Sequence, residues 1–177
     1  MLLPLLGYIM LEMEIKAKIE IRGTKQKLSK LGAEFINKQH QLDTYFHHPC
    51  RDFKKSDEAL RVRIMANKYF LTYKGKKLDS QTKTRNEVEI EVNSRIFSLL
   101  KALGFSEIRK IEKQRSFYRW DNLRVYLDKV EGLGEFLEIE GNSWESKQRI
   151  FQLLEKLGIK RDKLIRKSYL ELAGGEL

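Results

Sequence analysis

The sequence predicts an α+β fold in which antiparallel strands pack their apolar faces beneath helices. Three observations predict it. Several runs of residues alternate between apolar and charged side chains, which is the period of a half-buried strand. Turn residues separate consecutive runs, as hairpins require. Three helical segments each follow a strand that carries glutamates, and each ends in a Leu and Gly signature, at Gly32, Gly104 and Gly158.

The strands are justified by strict alternation. In the first run, residues 12–22, Glu14, Lys16 and four further charged residues share one face, while Met13, Ile15 and three other apolar residues share the opposite face. In chain order, the predicted strands are residues 12–22, 42–46, 59–64, 69–75, 87–92, 113–120, 123–130 and 136–140. Hairpin turns are predicted at Asn67, at Asp121-Asn122 and at Gly132 with Gly134.

The helices are justified by apolar stripes at helical spacing. Two stripes are expected to face the sheet, and they consist of Ile96, Leu99, Leu100 and Leu103 in one helix and Ile150, Leu153, Leu154 and Leu157 in another. The last segment, residues 163–172, is predicted to be weakly helical or extended.

Length and composition indicate one domain at residues 11–177, preceded by an apolar tail at residues 1–10. The formal net charge of +10 favours anionic partners such as nucleotides or polyphosphate. The single cysteine, Cys50, excludes an intrachain disulfide and a cysteine-based zinc site, which favours the cytoplasm. The tail lacks a basic start and meets charge at Glu12, so neither a signal peptide nor a membrane span is expected.

The charged strand faces must line either open solvent or a water-filled lumen, because burying so many unpaired charges would be prohibitive. Glutamates two residues apart on a strand point the same way, about 7 Å apart, so pairs on facing strands can converge on a divalent cation. Glu12, Glu14, Glu138 and Glu140 form such a set. Arginine forks and lysine ammonium groups suit phosphate oxygens. A ladder of ion pairs between neighbouring strands is the alternative explanation.

The run Glu12-Met13-Glu14-Ile15-Lys16 resembles the ExExK motif that opens the CYTH family, named for class IV adenylate cyclases and thiamine triphosphatases. The resemblance continues in order through DTYF at 43–46, EALRVR at 58–63, FLTYKG at 70–75, RNEVEIEV at 85–92, KQRSFYRW at 113–120, LDKVEGLGEFLEIEG at 127–141 and KSYLEL at 167–172. It therefore covers nearly the whole chain after residue 10.

The resemblance implies an eight-stranded antiparallel barrel, or tunnel, that holds a triphosphate inside and carries helices outside. It implies a site for Mg²⁺ or Mn²⁺ formed by acids that match those of the family, which are Glu12, Glu14, Glu138 and Glu140, with Asp128, Glu87 and Glu89 as additional members. It also implies a phosphate-binding set, which consists of Lys16, Arg61, Arg63, Lys74, Lys113 and Arg115, with Arg85 and Lys167 as further matches.

The stretch HPCRDFKKSDEALRVR at 48–63 is more similar to the class IV adenylate cyclase branch. The expected reaction converts ATP to cyclic AMP and pyrophosphate. A triphosphate hydrolase and a noncatalytic polyanion- or nucleotide-binding module remain as alternatives. Neither a nucleic-acid partner nor a membrane is expected, and a homodimer is left open by the sequence.

Overall fold

The computed structural model describes residues 10–78 and 82–174. The elements in chain order are β1 (Met10–Lys18), α1 (Ile21–Lys30), β2 (Glu34–His47), α2 (Phe53–Ser56), β3 (Ala59–Met65), β4 (Lys68–Lys74), β5 (Arg85–Val92), α3 (Ile96–Ala102), β6 (Ser106–Trp120), β7 (Leu123–Val130), β8 (Gly134–Gly141), α4 (Ser146–Leu157), a 3₁₀ turn (Arg161–Lys163) and α5 (Tyr169–Leu172). The predicted tail lies outside the described residues except for Met10, which begins β1.

The described strands form a closed barrel in the order β1-β5-β4-β3-β2-β6-β7-β8. Every neighbouring pair is antiparallel. The first strand completes the ring, because residues 10–12 pair with β5 and residues 13–18 pair with β8. The predicted eight-stranded antiparallel barrel with helices is therefore confirmed.

The apolar faces of most strands point outward, and helices cover those of β1, β3, β7 and β8. Helices α1 and α4 share a core with β1, β7 and β8, in which Ile15 and Ile139 lie opposite each other and are almost fully buried. Helix α3 packs Ile96 and Leu100 against Val62 of β3. Since side chains alternate along a strand, the charged residues between these apolar positions point into the barrel.

The first strand is shorter than predicted. Alternation continues to Arg22, yet β1 ends at Lys18 and α1 begins at Ile21. The Glu20 carboxylate accepts hydrogen bonds from the backbone N–H groups of Arg22 and Gly23 and so caps the N-terminus of α1. Local capping therefore overrides the strand pattern at this point.

Strands β2 and β6 are longer than predicted, with 14 and 15 residues. Their hydrogen-bonded register runs from Glu34 opposite Arg119 to His47 opposite Ser106. The added residues are mostly exposed and polar, and so they lack the apolar alternation by which the sequence identifies a strand.

The apolar stripe predicted for α4 is buried, whereas half of the stripe predicted for α3 is not. Leu99 is 55% exposed and Leu103 is 58% exposed. Helix α3 has only seven residues, and it turns Ile96 and Leu100, four positions apart, toward the barrel. None of the helices within the described residues is long and apolar enough to cross a membrane.

The C-terminal segment packs against one end of the barrel. Leu164 forms an isolated bridge with Ala17, and the Ile165 N–H donates to the carbonyl oxygen of Lys16. The α5 helix that follows begins with a capping box formed by Ser168 and Glu171. The segment predicted as weakly helical or extended thus contains both conformations.

The close contact between β8 and α4 gives a test of this packing. A Cβ atom on Gly141 would lie 2.2 Å from the Cβ of Ser146. We expect Gly141→Ala to lower the free energy of unfolding by about 1–3 kcal/mol because the helix must shift, as measured by urea denaturation. The matched variant Gly141→Ala with Ser146→Gly removes the contacted atom and should lose less than the sum of the two single changes. Additive losses would contradict the contact.

Candidate active site

A cavity of about 280 Å³ lies inside the barrel and is lined by all eight strands. Its lining is mostly ionisable. The lining residues that the sequence predicted are Glu12, Glu14, Lys16, Arg61, Arg63, Lys74, Arg85, Glu87, Glu89, Lys113, Arg115, Glu138 and Glu140. The structure therefore brings together all of the predicted site residues except Asp128 and Lys167.

Three carboxylates converge on one side of the cavity. One oxygen each of Glu12, Glu14 and Glu140 lies within 4.8 Å of the others. Glu14 and Glu140 are direct cross-strand partners, and Glu12 is the next inward residue along β1. Burial and the negative charge of Glu12 raise the pKa of Glu140 to about 8. Burial would raise the pKa of Glu12 and of Glu14 as well, but neighbouring lysines lower both, so the repulsion among the three acids falls on Glu140.

This carboxylate cluster fits a hard divalent cation. Mg²⁺ and Mn²⁺ prefer carboxylate oxygens, and three such oxygens at this spacing can share one ion. A cation would also relieve the repulsion that raises the Glu140 pKa. The donor chemistry of the cluster thus matches the metal that the sequence predicted.

Basic side chains face the cluster across short distances. The Lys16 Nζ lies 3.3 Å from Glu14 Oε1 and 3.0 Å from Glu138 Oε1. Burial alone would lower the pKa of Lys16, but Glu138 and Glu14 raise it above its ordinary value. Lys74 pairs with Glu87 and lies 3.6 Å from Glu12. These lysines stay charged beside the acids.

Two acids, Asp128 and Glu138, fix the position of the Arg115 guanidinium. Its Nε and Nη2 donate to the Asp128 carboxylate at 2.8 and 2.6 Å, and Nη2 also donates to Glu138. Asp128 accepts a further hydrogen bond from the Tyr169 hydroxyl at 2.9 Å. Asp128 is fully buried and is not among the described residues that line the cavity. It contacts Arg115 from behind.

Two predicted residues sit differently from the rest. The side chain of Lys167 is exposed, and only its carbonyl oxygen reaches the interior, where it accepts from Lys16 Nζ at 3.4 Å. Glu89 is a half-exposed lining residue 3.5 Å from Arg61. Lys167 is therefore not among the described residues that line the cavity. Of the seven acids predicted to hold the metal, the three-carboxylate cluster contains Glu12, Glu14 and Glu140 but not Glu138, Glu87, Glu89 or Asp128.

The sequence analysis missed Lys83, Tyr169 and Asp43. The Lys83 Nζ lies 2.9 Å from Glu14, and burial lowers the pKa of Lys83 to about 8. This lysine precedes β5 in a loop, so no alternation indicated its position. Tyr169 reaches the cavity from α5, far from any strand pattern. Asp43 could have been found, because in the DTYF run it shares a strand face with Tyr45, which lines the cavity.

Comparisons with known proteins show the family to which the chain belongs. The sequence profile described as the CYTH domain matches residues 10–169. A Methanocaldococcus jannaschii protein, provisionally named an adenylate cyclase, is 41% identical over 174 residues, which cover 93% of this chain and 99% of that protein.

Solved structures show the same barrel. A Pyrococcus horikoshii protein has a TM-score of 0.83 and 39% identity, covering 92% of this chain and 97% of that chain. A Hippeastrum protein, described as an adenylyl cyclase candidate that reveals a dominant triphosphatase activity, has a TM-score of 0.68 and 18% identity, covering 96% of this chain and 98% of that chain. The profile match spans most of the sequence, and the chain belongs to the CYTH family, whose members are adenylate cyclases or triphosphatases.

Proposed function

We propose that this protein is a divalent-metal-dependent enzyme that binds ATP in the barrel and converts it to cyclic AMP and pyrophosphate. The observation that carries the proposal is the meeting of a three-carboxylate cluster and several cations in one cavity. Carboxylates alone would suit a cation, and cations alone would suit any anion. Together they suit a triphosphate that arrives with its metal.

The carboxylates of Glu12, Glu14 and Glu140 would hold Mg²⁺ or Mn²⁺. When bound, the ion supplies Lewis-acid neutralisation of phosphate charge. The chain's own cations would bind the remaining phosphate oxygens. Arg115 lines the cavity and is fixed there by Asp128. The buried Nε of Arg61 has no hydrogen-bond partner among the described residues, so it is a donor that a phosphate oxygen would satisfy.

The cyclase reaction needs little covalent chemistry from the protein. The ribose 3′-oxygen forms a bond to the α-phosphorus, the bond from that phosphorus to the bridging oxygen breaks, and pyrophosphate leaves with the bond electrons. The 3′-hydroxyl proton passes to a base or to water. The side chains of the cavity orient the triphosphate and stabilise the charge that spreads over its oxygens.

The cyclase assignment is supported by the M. jannaschii relative, which is named as a cyclase.

A second candidate, triphosphate hydrolysis, is favoured by the lining itself. The aromatic side chains among the described lining residues are Tyr45, Tyr126 and Tyr169. Tyr169 hydrogen-bonds to Asp128, and Arg115 stacks 4.1 Å from the Tyr126 ring. The lining therefore offers more contacts to phosphate than to a base.

Product identification separates these functions. The protein would be incubated with ATP, inorganic triphosphate and thiamine triphosphate, each with Mg²⁺ or Mn²⁺. We expect cyclic AMP and pyrophosphate from ATP. Release of inorganic phosphate from any substrate, without cyclic AMP, would select the hydrolase. Cation-dependent binding without turnover of any substrate would select the noncatalytic module.

The proposed metal site predicts the effect of one carboxylate. We expect Glu140→Gln to weaken Mn²⁺ binding about tenfold or more, because it removes one of three charged ligands. Calorimetric titration of the protein with Mn²⁺ in the absence of substrate measures this. The control is Glu131→Gln, which makes the same chemical change at an exposed position in the turn before β8. Equal Mn²⁺ affinity in both variants would count against metal ligation by Glu140.

The proposed phosphate site predicts that a lysine at position 115, which keeps the positive charge but lacks the planar guanidinium, does not support full activity. We expect Arg115→Lys to lower kcat/KM about tenfold to a hundredfold, because a lysine loses charged hydrogen bonds that the guanidinium makes. The matched control is Arg119→Lys, since Arg119 lies on the same strand but is exposed and pairs with Glu34. A similar small loss in both variants would show that Arg115 does not bind substrate.

A further inference from the structure

Asp43 is a buried acid to which the sequence analysis gave no role. It lies on β2 directly opposite Arg63 of β3, and it is 1% exposed. Arg63 Nε donates to its Oδ1 at 2.6 Å, and Arg63 Nη2 donates to its Oδ2 at 2.8 Å. Both oxygens of the carboxylate are therefore engaged by one guanidinium in a two-bond fork.

Two further cations approach the same carboxylate. Arg61 Nη1 lies 3.5 Å and Lys113 Nζ lies 3.8 Å from Asp43 Oδ2. Burial alone would raise the pKa of Asp43, but Arg63, Arg61 and Lys113 lower it well below its ordinary value, so the group is ionised. One carboxylate thus contacts three cations that come from two strands.

The three cations line the cavity, whereas Asp43 is not among the described residues that line it. Its negative charge opposes the binding of any anion in the cavity. The charge of Asp43 therefore could not favour triphosphate binding directly. Its position could, because without a central anion Arg61, Arg63 and Lys113 would repel one another and move apart.

We propose that Asp43 is a positioning residue that holds Arg61, Arg63 and Lys113 in the arrangement that receives the triphosphate. The inference rests on the proposed function, since it assumes that the cavity binds a triphosphate. Asp128 has the same arrangement on the other side of Lys113. It accepts two hydrogen bonds from Arg115, and its Oδ2 lies 3.7 Å from Lys113 Nζ. Lys113 therefore stands between two buried acids, each of which fixes an arginine.

The test is calorimetric titration with inorganic triphosphate in the presence of EDTA, so that the cations bind the ligand without metal. We expect Asp43→Asn to weaken this binding about tenfold, because an amide cannot accept both arginine bonds. A residue that only balances charge predicts the opposite result, which is tighter binding once the negative charge is removed. The control is Glu112→Gln, the same type of charge change at an exposed residue of β6 that pairs with His40.

Thermal unfolding shows whether each variant is folded. If Asp43→Asn does not fold, Asp43→Glu carries the test, because it keeps the charge but moves the fork by one methylene, and it should bind triphosphate several-fold more weakly. Unchanged or tighter binding by a folded variant at position 43 would overturn the inference alone. Failure of the unaltered protein to bind triphosphate, with or without Mg²⁺, would overturn both the inference and the proposed function.

Discussion

Charge pairing between neighbouring strands is the interaction on which the interior of this barrel depends. Lys16 lies opposite Glu138, and Arg115 lies opposite Asp128. An unpaired buried charge would cost several kcal/mol, so the opposite signs must meet in register. A slip of one residue would turn each inner charge outward and each outer apolar residue inward. The ionic interior and the apolar exterior therefore select the same register.

Three inward acids meet at one place in the described barrel, although each is also paired with a cation: Glu12 with Lys74, Glu14 with Lys16 and Lys83, and Glu140 with Arg124. Glu12, Glu14 and Glu140 lie together, and burial with the charge of Glu12 raises the pKa of Glu140. The cluster depends on the pairing of β1 with β8, because Glu14 lies opposite Glu140 and Glu12 is the next inward residue of β1. The pairing of Glu12 with Arg85 of β5 then closes the barrel beside the acids. Local electrostatic conflict of this kind is typical of functional sites.

The sequence predicted most of the barrel and of the lining because both depend on the two-residue period of strands. Glu14 and Lys16 could be assigned to the interior since their neighbours are apolar. Lys83 could not, because it lies outside the strands, and a backbone hydrogen bond from its N–H to the carbonyl oxygen of Glu14 places it beside β1. Leu99 was assigned to the core by spacing alone, yet the short α3 exposes it. Periodicity gives the face of a residue, whereas loop paths and helix length depend on tertiary contacts.

Periodicity also could not distinguish acids that reach the cavity from acids that support other side chains, because both kinds occupy the charged face. In the structure the difference follows side-chain length. Six inward glutamates of the strands line the cavity, whereas the strand aspartates Asp43 and Asp128 do not. Glu91, at the exposed end of the same face of β5, pairs with Lys68 instead. An aspartate has one methylene less, so its carboxylate stays near its own strand, where the arginine directly opposite covers it with a two-bond fork. A glutamate extends past that level and reaches the cavity. Among the described strand residues that line or underlie the cavity, side-chain length therefore separates the acids that support an arginine from the acids that line the cavity.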